Sequence, residues 1–172
     1  MSDDKKKSIE DFFEEIYGYR PVKKGTAYEL IVAAAFKLID SNKEVFSDQR
    51  LRGAYSKQLY QIDTLIKEGG NTFVESKDYT EKSTPVGRPD VSKLAGALSD
   101  LDVQTGAVVS ATSFTKPAKD YAKASQNMIL GKSIDLFHIR PSTIEDEKGR
   151  IKTIIINLVF NFAAFEKAKW KP

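Results

Sequence analysis

An α/β sandwich around one mixed β-sheet is the fold this sequence predicts. Three observations point to it. A strongly apolar helical run, Thr26 to Asp40, leads into three β-like runs, Glu44 to Arg52, Leu59 to Lys67 and Asn71 to Tyr79. From Asp90 onward, helical and β-like runs alternate. No internal repeat or low-complexity tract interrupts them. Meandering strands followed by αβαβ alternation call for a sheet with antiparallel and parallel parts, covered by helices.

Each element has its own signal. Residues 1–7 read as a charged, frayed tail. Ser8-Ile9-Glu10-Asp11 opens like a capping box. Ile9, Phe12, Phe13 and Ile16 then form the apolar stripe of a short helix that ends near Gly18. In the run from Thr26 to Asp40, Tyr28, Ile31, Val32, Ala35, Leu38 and Ile39 cover a wide face. Lys67-Glu68-Gly69-Gly70-Asn71 is a tight turn, with Glu68 to Gly70 as a three-residue loop and Gly70 left-handed. Thr80 to Pro89 has the composition of a loop. Asp90 is placed to cap a helix marked by Val91, Leu94, Ala95, Leu98 and Leu101. Ala107-Val108-Val109 is a short buried strand. Ser113 or Thr115 caps a helix reaching about Asn127, with Pro117 in its first turn. Ser133 to Ile139 is a strand, Pro141 to Gly149 an acidic loop, and Arg150 to Phe162 a long β-rich run. The basic tail around Trp170 follows.

Composition narrows the function. The 172 residues fit one domain with a sizeable core, spanning 1–172. Within it the helix at 8–18 is an addition, 25–140 is the core and 150–162 is a C-terminal strand extension. There are no cysteines, which excludes disulfides and thiolate metal sites and is compatible with a cytoplasmic location. His138 is the one histidine, so histidine-rich zinc sites and Ser-His-Asp triads are set aside. It sits in an apolar strand and reads as structural. No apolar stretch is long enough to span a bilayer. A net charge of +3 permits nucleic-acid binding without demanding it. Gly131-Lys132-Ser133 looks like the end of a phosphate-binding loop, but the glycine required five residues earlier is Gln126.

The richest chemistry lies in Phe73-Val74-Glu75-Ser76-Lys77. Glu75 and Lys77 share one face of a strand, because successive residues alternate. The three-residue turn places Asp63 opposite Glu75, and a one-residue slip would separate them. Two carboxylates with a lysine beside them suit Mg²⁺, which binds through one or two carboxylates plus a phosphate and keeps several waters. The lysine can orient or deprotonate a metal-bound water. Together these groups are what phosphodiester hydrolysis requires. In a chain that is 30% charged, the same triplet is also compatible with a solvated strand face bearing an ion pair.

Further motifs stand in order around it: Gly25-x-x-Tyr28-Glu29, Gln61-Ile62-Asp63, Leu94-x-Gly96-x-Leu98, Gly106-Ala107-Val108-Val109-Ser110 and Phe114-Thr115-x-x-Ala118-x-x-Tyr121-Ala122. From about Gly25 to Arg140 the chain resembles the catalytic domain of Mrr-type restriction endonucleases, within the PD-(D/E)xK nuclease superfamily. The resemblance implies a restriction-endonuclease-like αβββαβ core and Mg²⁺-dependent cleavage of DNA, with Mn²⁺ as a substitute. It implies that Asp63 and Glu75 are the metal ligands and that Lys77 positions the attacking water. Glu29 matches an acidic residue of the first helix that often completes the site, though helical spacing alone also allows an exposed glutamate. Members of this family often carry a separate winged-helix domain that selects DNA, and none is visible here.

The expectation is therefore a Mg²⁺-dependent, restriction-type DNA endonuclease. Arg50, Arg52, Lys57, Lys82, Arg88 and Lys93 flank the site in sequence and are candidates for phosphate contacts. Cleavage of both strands of a duplex calls for two sites, hence a homodimer. The alternatives are a structure-selective nuclease of DNA repair or recombination, and a non-cleaving DNA-binding module that keeps the fold.

Overall fold

A computed structural model describes residues 8–129, 131–141 and 154–159. The expected tail at 1–7, the loop from 142 to 149, the ends of the expected 150–162 strand and the tail around Trp170 lie outside the described residues. The elements run α1 (Ile9–Tyr17), α2 (Thr26–Ile39), β1 (Glu44–Arg52), β2 (Leu59–Lys67), β3 (Asn71–Lys77), α3 (Arg88–Asp100), β4 (Thr105–Ser110), α4 (Lys116–Met128), β5 (Ser133–Pro141) and β6 (Ile154–Val159). The six strands form one sheet in sequence order. β1, β2 and β3 are antiparallel, β3, β4 and β5 parallel, and β6 returns antiparallel to β5.

Local chemistry explains most boundaries. The capping box forms at α1: Ser8 N donates to Asp11 Oδ2 at 2.9 Å and Asp11 N to Ser8 Oγ at 3.1 Å. Gly18 ends α1 in the left-handed region at φ 75°. Thr115 caps α4, accepting from Ala118 N at 3.2 Å. α3 differs from expectation. It begins at Arg88 after Gly87, with Pro89 and Asp90 inside its first turn. A proline there loses no hydrogen bond, so the helix starts earlier than an Asp90 cap would allow.

Two apolar layers sandwich the sheet. On one face Phe12 and Phe13 of α1 and Tyr28, Ile31 and Val32 of α2 pack on Ile66, Val74, Ala107, Val109 and Ile139. On the other, Val91, Leu94 and Leu98 of α3 and Ala118 and Ala122 of α4 pack on Leu65, Phe73, Val108, Ile134 and Leu136. Each large aliphatic or aromatic side chain buried this way contributes roughly 1.5–3 kcal/mol. The buried Tyr28 hydroxyl donates to Ile139 O at 2.7 Å, which fixes the first turns of α2 on the sheet.

The β2–β3 turn has the expected register, with Lys67 paired to Asn71 across Glu68–Gly70. Its left-handed residue is Gly69, at φ 61°, rather than Gly70. Gly70 is confined for another reason: a β-carbon there would lie 2.8 Å from Gln104 Oε1.

The β1–β2 hairpin is bent. Val45 and Ile66, at its base, pack with the α1–α2 layer, whereas Leu51, Tyr60 and Ile62, in its outer half, pack with the α3–α4 layer. Strict alternation cannot put both Ile62 and Leu65 on the α3–α4 side. The strands therefore turn over between them. Asp48 lies at that bend, with φ 47°, between the pairs Ser47–Thr64 and Gln49–Ile62. The tip of the hairpin is tied to the end of α3. The Asp100 carboxylate accepts from Tyr55 N at 2.8 Å, Ser56 N at 3.0 Å, the Ser56 hydroxyl and Tyr60 OH at 3.0 Å. These hydrogen bonds, the Ser56 hydroxyl's first, hold its pKa down at about 2. Gly53 leaves room for this carboxylate, since a β-carbon there would come within 2.6 Å of Asp100 Cγ. Gly53→Ala is expected to destabilise the protein by about 1–3 kcal/mol, read as a lower urea midpoint.

Candidate active site

β2 and β3 pair only as far as Thr64–Val74, and beyond that the two strands fork. Asp63 causes part of this. Its Oδ2 accepts the Ser76 backbone N–H at 2.8 Å, so a side chain takes the place of the next ladder carbonyl. Ser76 itself stays in register with Val109 of β4, which holds Glu75 and Lys77 on the sheet. The fork thus sets Asp63 next to the Glu75–Lys77 segment. Lys77 Nζ donates to Glu75 Oε1 at 2.8 Å, and the two side chains are only 15% and 17% exposed.

Three acids crowd this region. Burial pushes Asp63 up to about 6. The charges of Glu75 and Glu29 push the same way, while the Ser76 hydrogen bond and Lys77 oppose it. Glu29, near the start of α2, is also raised, first by burial and then by Asp48 and Glu75, against Lys23. The structure therefore brings Glu29 into the electrostatic field of Asp63 and Glu75 without bonding it to either. Burial works against the Lys77 ammonium, but the Glu75 charge and hydrogen bond, with Tyr79 and Asp90, outweigh it. Its pKa sits above the ordinary lysine value. At neutral pH Lys77 is a cation and a hydrogen-bond donor.

α3 adds Asp90, which sequence reading took only as a helix cap, and sets Lys93, a candidate for phosphate contacts, beside Glu75. Asp90 Oδ1 lies 3.9 Å from Lys77 Nζ and accepts from Tyr79 OH at 2.9 Å. Lys93 Nζ lies 3.9 Å from Glu75 Oε1. A signal for them exists. In a right-handed β3–α3–β4 crossover, the first turn of the helix starts beside the carboxyl end of β3. A polar Asp-x-x-Lys pair in that turn must then face residues such as Lys77.

The residues suggested for phosphate contacts have other partners as well. Arg52 Nη1 donates to Lys57 O at 2.9 Å and Lys57 Nζ to Ala54 O at 2.5 Å, so both brace the hairpin tip. The Arg88 guanidinium lies over the Tyr121 ring, 5.4 Å from its centroid. Arg50 is exposed on β1, paired with Gln61. His138 hydrogen-bonds Ala111 O at 3.2 Å and is part of the β4–β5 framework.

The donors at the fork are hard oxygens, which suit Mg²⁺ or Mn²⁺. Asp63 and Glu29 hold their protons more tightly than usual, first because they are buried and then because negative charges stand near them. Among the described residues no three acidic or histidine side chains form an enclosing cage. Asp63 and Glu75 as oxygen donors fit an ion held by one or two carboxylates and completed by waters and a substrate phosphate.

Such a sheet, with acids and a lysine at the fork of its second and third strands, defines a restriction-endonuclease-like α/β domain. The restriction endonuclease family model for Mrr-type catalytic domains matches residues 24–139, and the chain belongs to that family. The chain is also similar to a solved structure described as a protein of unknown function, AF1548. The two share 17% identity and a TM-score of 0.50 over 62% of this chain and 56% of the other. That likeness bears on the fold alone, and this chain spans little more than half of that protein. No curated protein matches the chain. No helix among the described residues is long and apolar enough to cross a membrane.

Proposed function

We propose that this restriction-type nuclease domain hydrolyses DNA phosphodiesters with Mg²⁺, or Mn²⁺ in its place. The observation that carries the reading is the fork itself, where half-buried, mutually repelling carboxylates stand beside a charged, hydrogen-bonding lysine. Asp63 and Glu75 would hold the metal, with Glu29 adding negative charge nearby. The metal would supply a Lewis acid for the phosphate and a more acidic bound water. Lys77, as a fixed ammonium, orients the attacking water and stabilises charge that develops on the phosphate. Arg50, Arg52, Lys57 and Arg88 contact the DNA backbone, and two copies of the chain act together on the two strands.

The test is incubation of the purified chain with supercoiled, linear, methylated and branched DNA, with and without Mg²⁺. Metal-dependent cleavage of at least one substrate is expected, with affinity that falls steeply as salt rises. Binding without cleavage of any substrate would instead support the non-cleaving module.

Glu29→Gln separates its two roles. If the Glu29 charge serves the site, the variant keeps its fold, melts slightly higher without metal because like-charge repulsion is relieved, and shows a smaller Mg²⁺-induced rise in Tm. An unchanged Mg²⁺-induced rise together with unchanged cleavage removes Glu29 from the site.

A further inference from the structure

We infer that Asp90 is a positioning residue that keeps Lys77 in place, and that Tyr79 holds Asp90 in that role. Its consequence for cleavage rests on the nuclease reading above; its geometry does not. Among the described residues, Glu75 and Asp90 are the carboxylates that reach the Lys77 ammonium, at 2.8 and 3.9 Å. Two demands fall on Glu75. As a metal ligand it must turn its oxygens toward an ion, and as the partner of Lys77 it must hold an ammonium. A carboxylate oxygen drawn to a divalent ion binds the lysine less strongly. Lys77 then needs a second anion on its other side, or it swings away from the water it must orient.

Asp90 meets that need. Its Oδ1 is fixed by the Tyr79 hydroxyl at 2.9 Å, and Tyr79 lies two residues beyond Lys77 on the segment that continues β3. It stands in the first turn of α3, at the partially positive end of the helix. Lys93, one turn further along, lies 3.9 Å from Glu75 and gives that acid a second cation on the same helix. An acid serving only the helix dipole would need neither the Tyr79 tether nor proximity to Lys77.

The experiment uses the full chain and the variants Asp90→Asn, Tyr79→Phe, Tyr79→Phe/Asp90→Asn, Glu75→Gln and Glu75→Gln/Asp90→Asn. In Mg²⁺, Asp90→Asn is expected to lower single-turnover cleavage by on the order of tenfold to a hundredfold while DNA Kd stays within about twofold, since it misplaces a group and removes no DNA contact. Tyr79→Phe shows a smaller loss in the same direction, and the double variant Tyr79→Phe/Asp90→Asn is no worse than Asp90→Asn alone. A second readout needs neither metal nor activity. The Lys77 side chain is only 15% exposed, and with Glu75 neutralised Asp90 is the carboxylate left to hold it in place. Loss of that charged contact should free the side chain and let an amine-acylating reagent modify Lys77 about tenfold faster in Glu75→Gln/Asp90→Asn than in Glu75→Gln, with Lys116 as internal reference. Wild-type cleavage by folded Asp90→Asn, or equal Lys77 acylation in the two Glu75→Gln backgrounds, overturns the inference. If Asp90→Asn does not fold, Tyr79→Phe decides: an unchanged cleavage rate in that variant overturns it. If the wild type cleaves no DNA, the nuclease reading falls and the acylation comparison still decides the place of Asp90.

Discussion

Lys77→Ala is expected to reduce cleavage by on the order of a hundredfold to a thousandfold, the loss typical when one fixed electrostatic donor is removed from a hydrolytic site. Metal binding should survive and even strengthen. The ammonium stands 2.8 Å from Glu75, so it competes with any divalent ion for that carboxylate and repels the ion besides. Removing it leaves both Glu75 and Asp90 without their shared cation. The metal-free variant should therefore be less stable than wild type, and Mg²⁺ should raise its Tm by more. Isothermal titration with Mg²⁺, melting curves with and without it, and single-turnover cleavage measure the three effects. An inactive variant that has also lost metal binding would point to a collapsed site and would withdraw the role assigned to Lys77. Cleavage at the wild-type rate would do the same.

The contrast between Lys77 and Asp90 shows what a sequence of this kind makes legible. Local signals carried most of the fold. The Glu68–Gly70 turn set the β2–β3 register, and the Ser8 capping box and Gly18 bounded α1. The alternation of helices and strands after Asp90 gave the parallel half of the sheet. Three features escaped because they are made through space. The bend at Asp48 carries no glycine or proline to announce it, since aspartate tolerates the left-handed region well enough to occupy it silently. The end of the β2–β3 ladder follows from a side chain, Asp63, taking over a backbone donor of the next strand. Asp100 appears in sequence as one more acid at a helix end, yet it anchors a turn more than 40 residues away in the chain. In the last two cases a polar side chain takes a backbone donor of another element, and residue periodicity contains no trace of that exchange.

Asp63→Asn should separate stability from chemistry most sharply. In the folded protein the Asp63 carboxyl titrates at about 6, against 3.8 for an unperturbed aspartate, because it is buried beside Glu75 and Glu29. The folded state therefore holds this proton more tightly than the unfolded chain. Its stabilising contribution is fully present below about pH 4 and is lost as pH rises through about 6. At 1.36 kcal/mol per pH unit, that interval corresponds to at most about 3 kcal/mol at neutral pH, and partial solvent access reduces it. Asparagine is neutral throughout and its amide oxygen can still accept the Ser76 N–H. At pH 7 without metal, Asp63→Asn should melt several degrees above the wild type, given about 2–4 °C per kcal/mol for a chain of this size. At pH 4 the two should melt within about a degree of one another, because the wild-type carboxyl is then largely protonated. The same variant should lose both Mg²⁺-induced stabilisation and cleavage, since it lacks the charge the metal requires. A lower Tm at pH 7, or an equal difference at pH 4 and pH 7, would show that the Asp63 charge is not strained in the metal-free protein. In that case the crowding of acids at the fork would no longer support a cation site. Retained cleavage by the stabilised variant would take Asp63 out of the metal shell altogether.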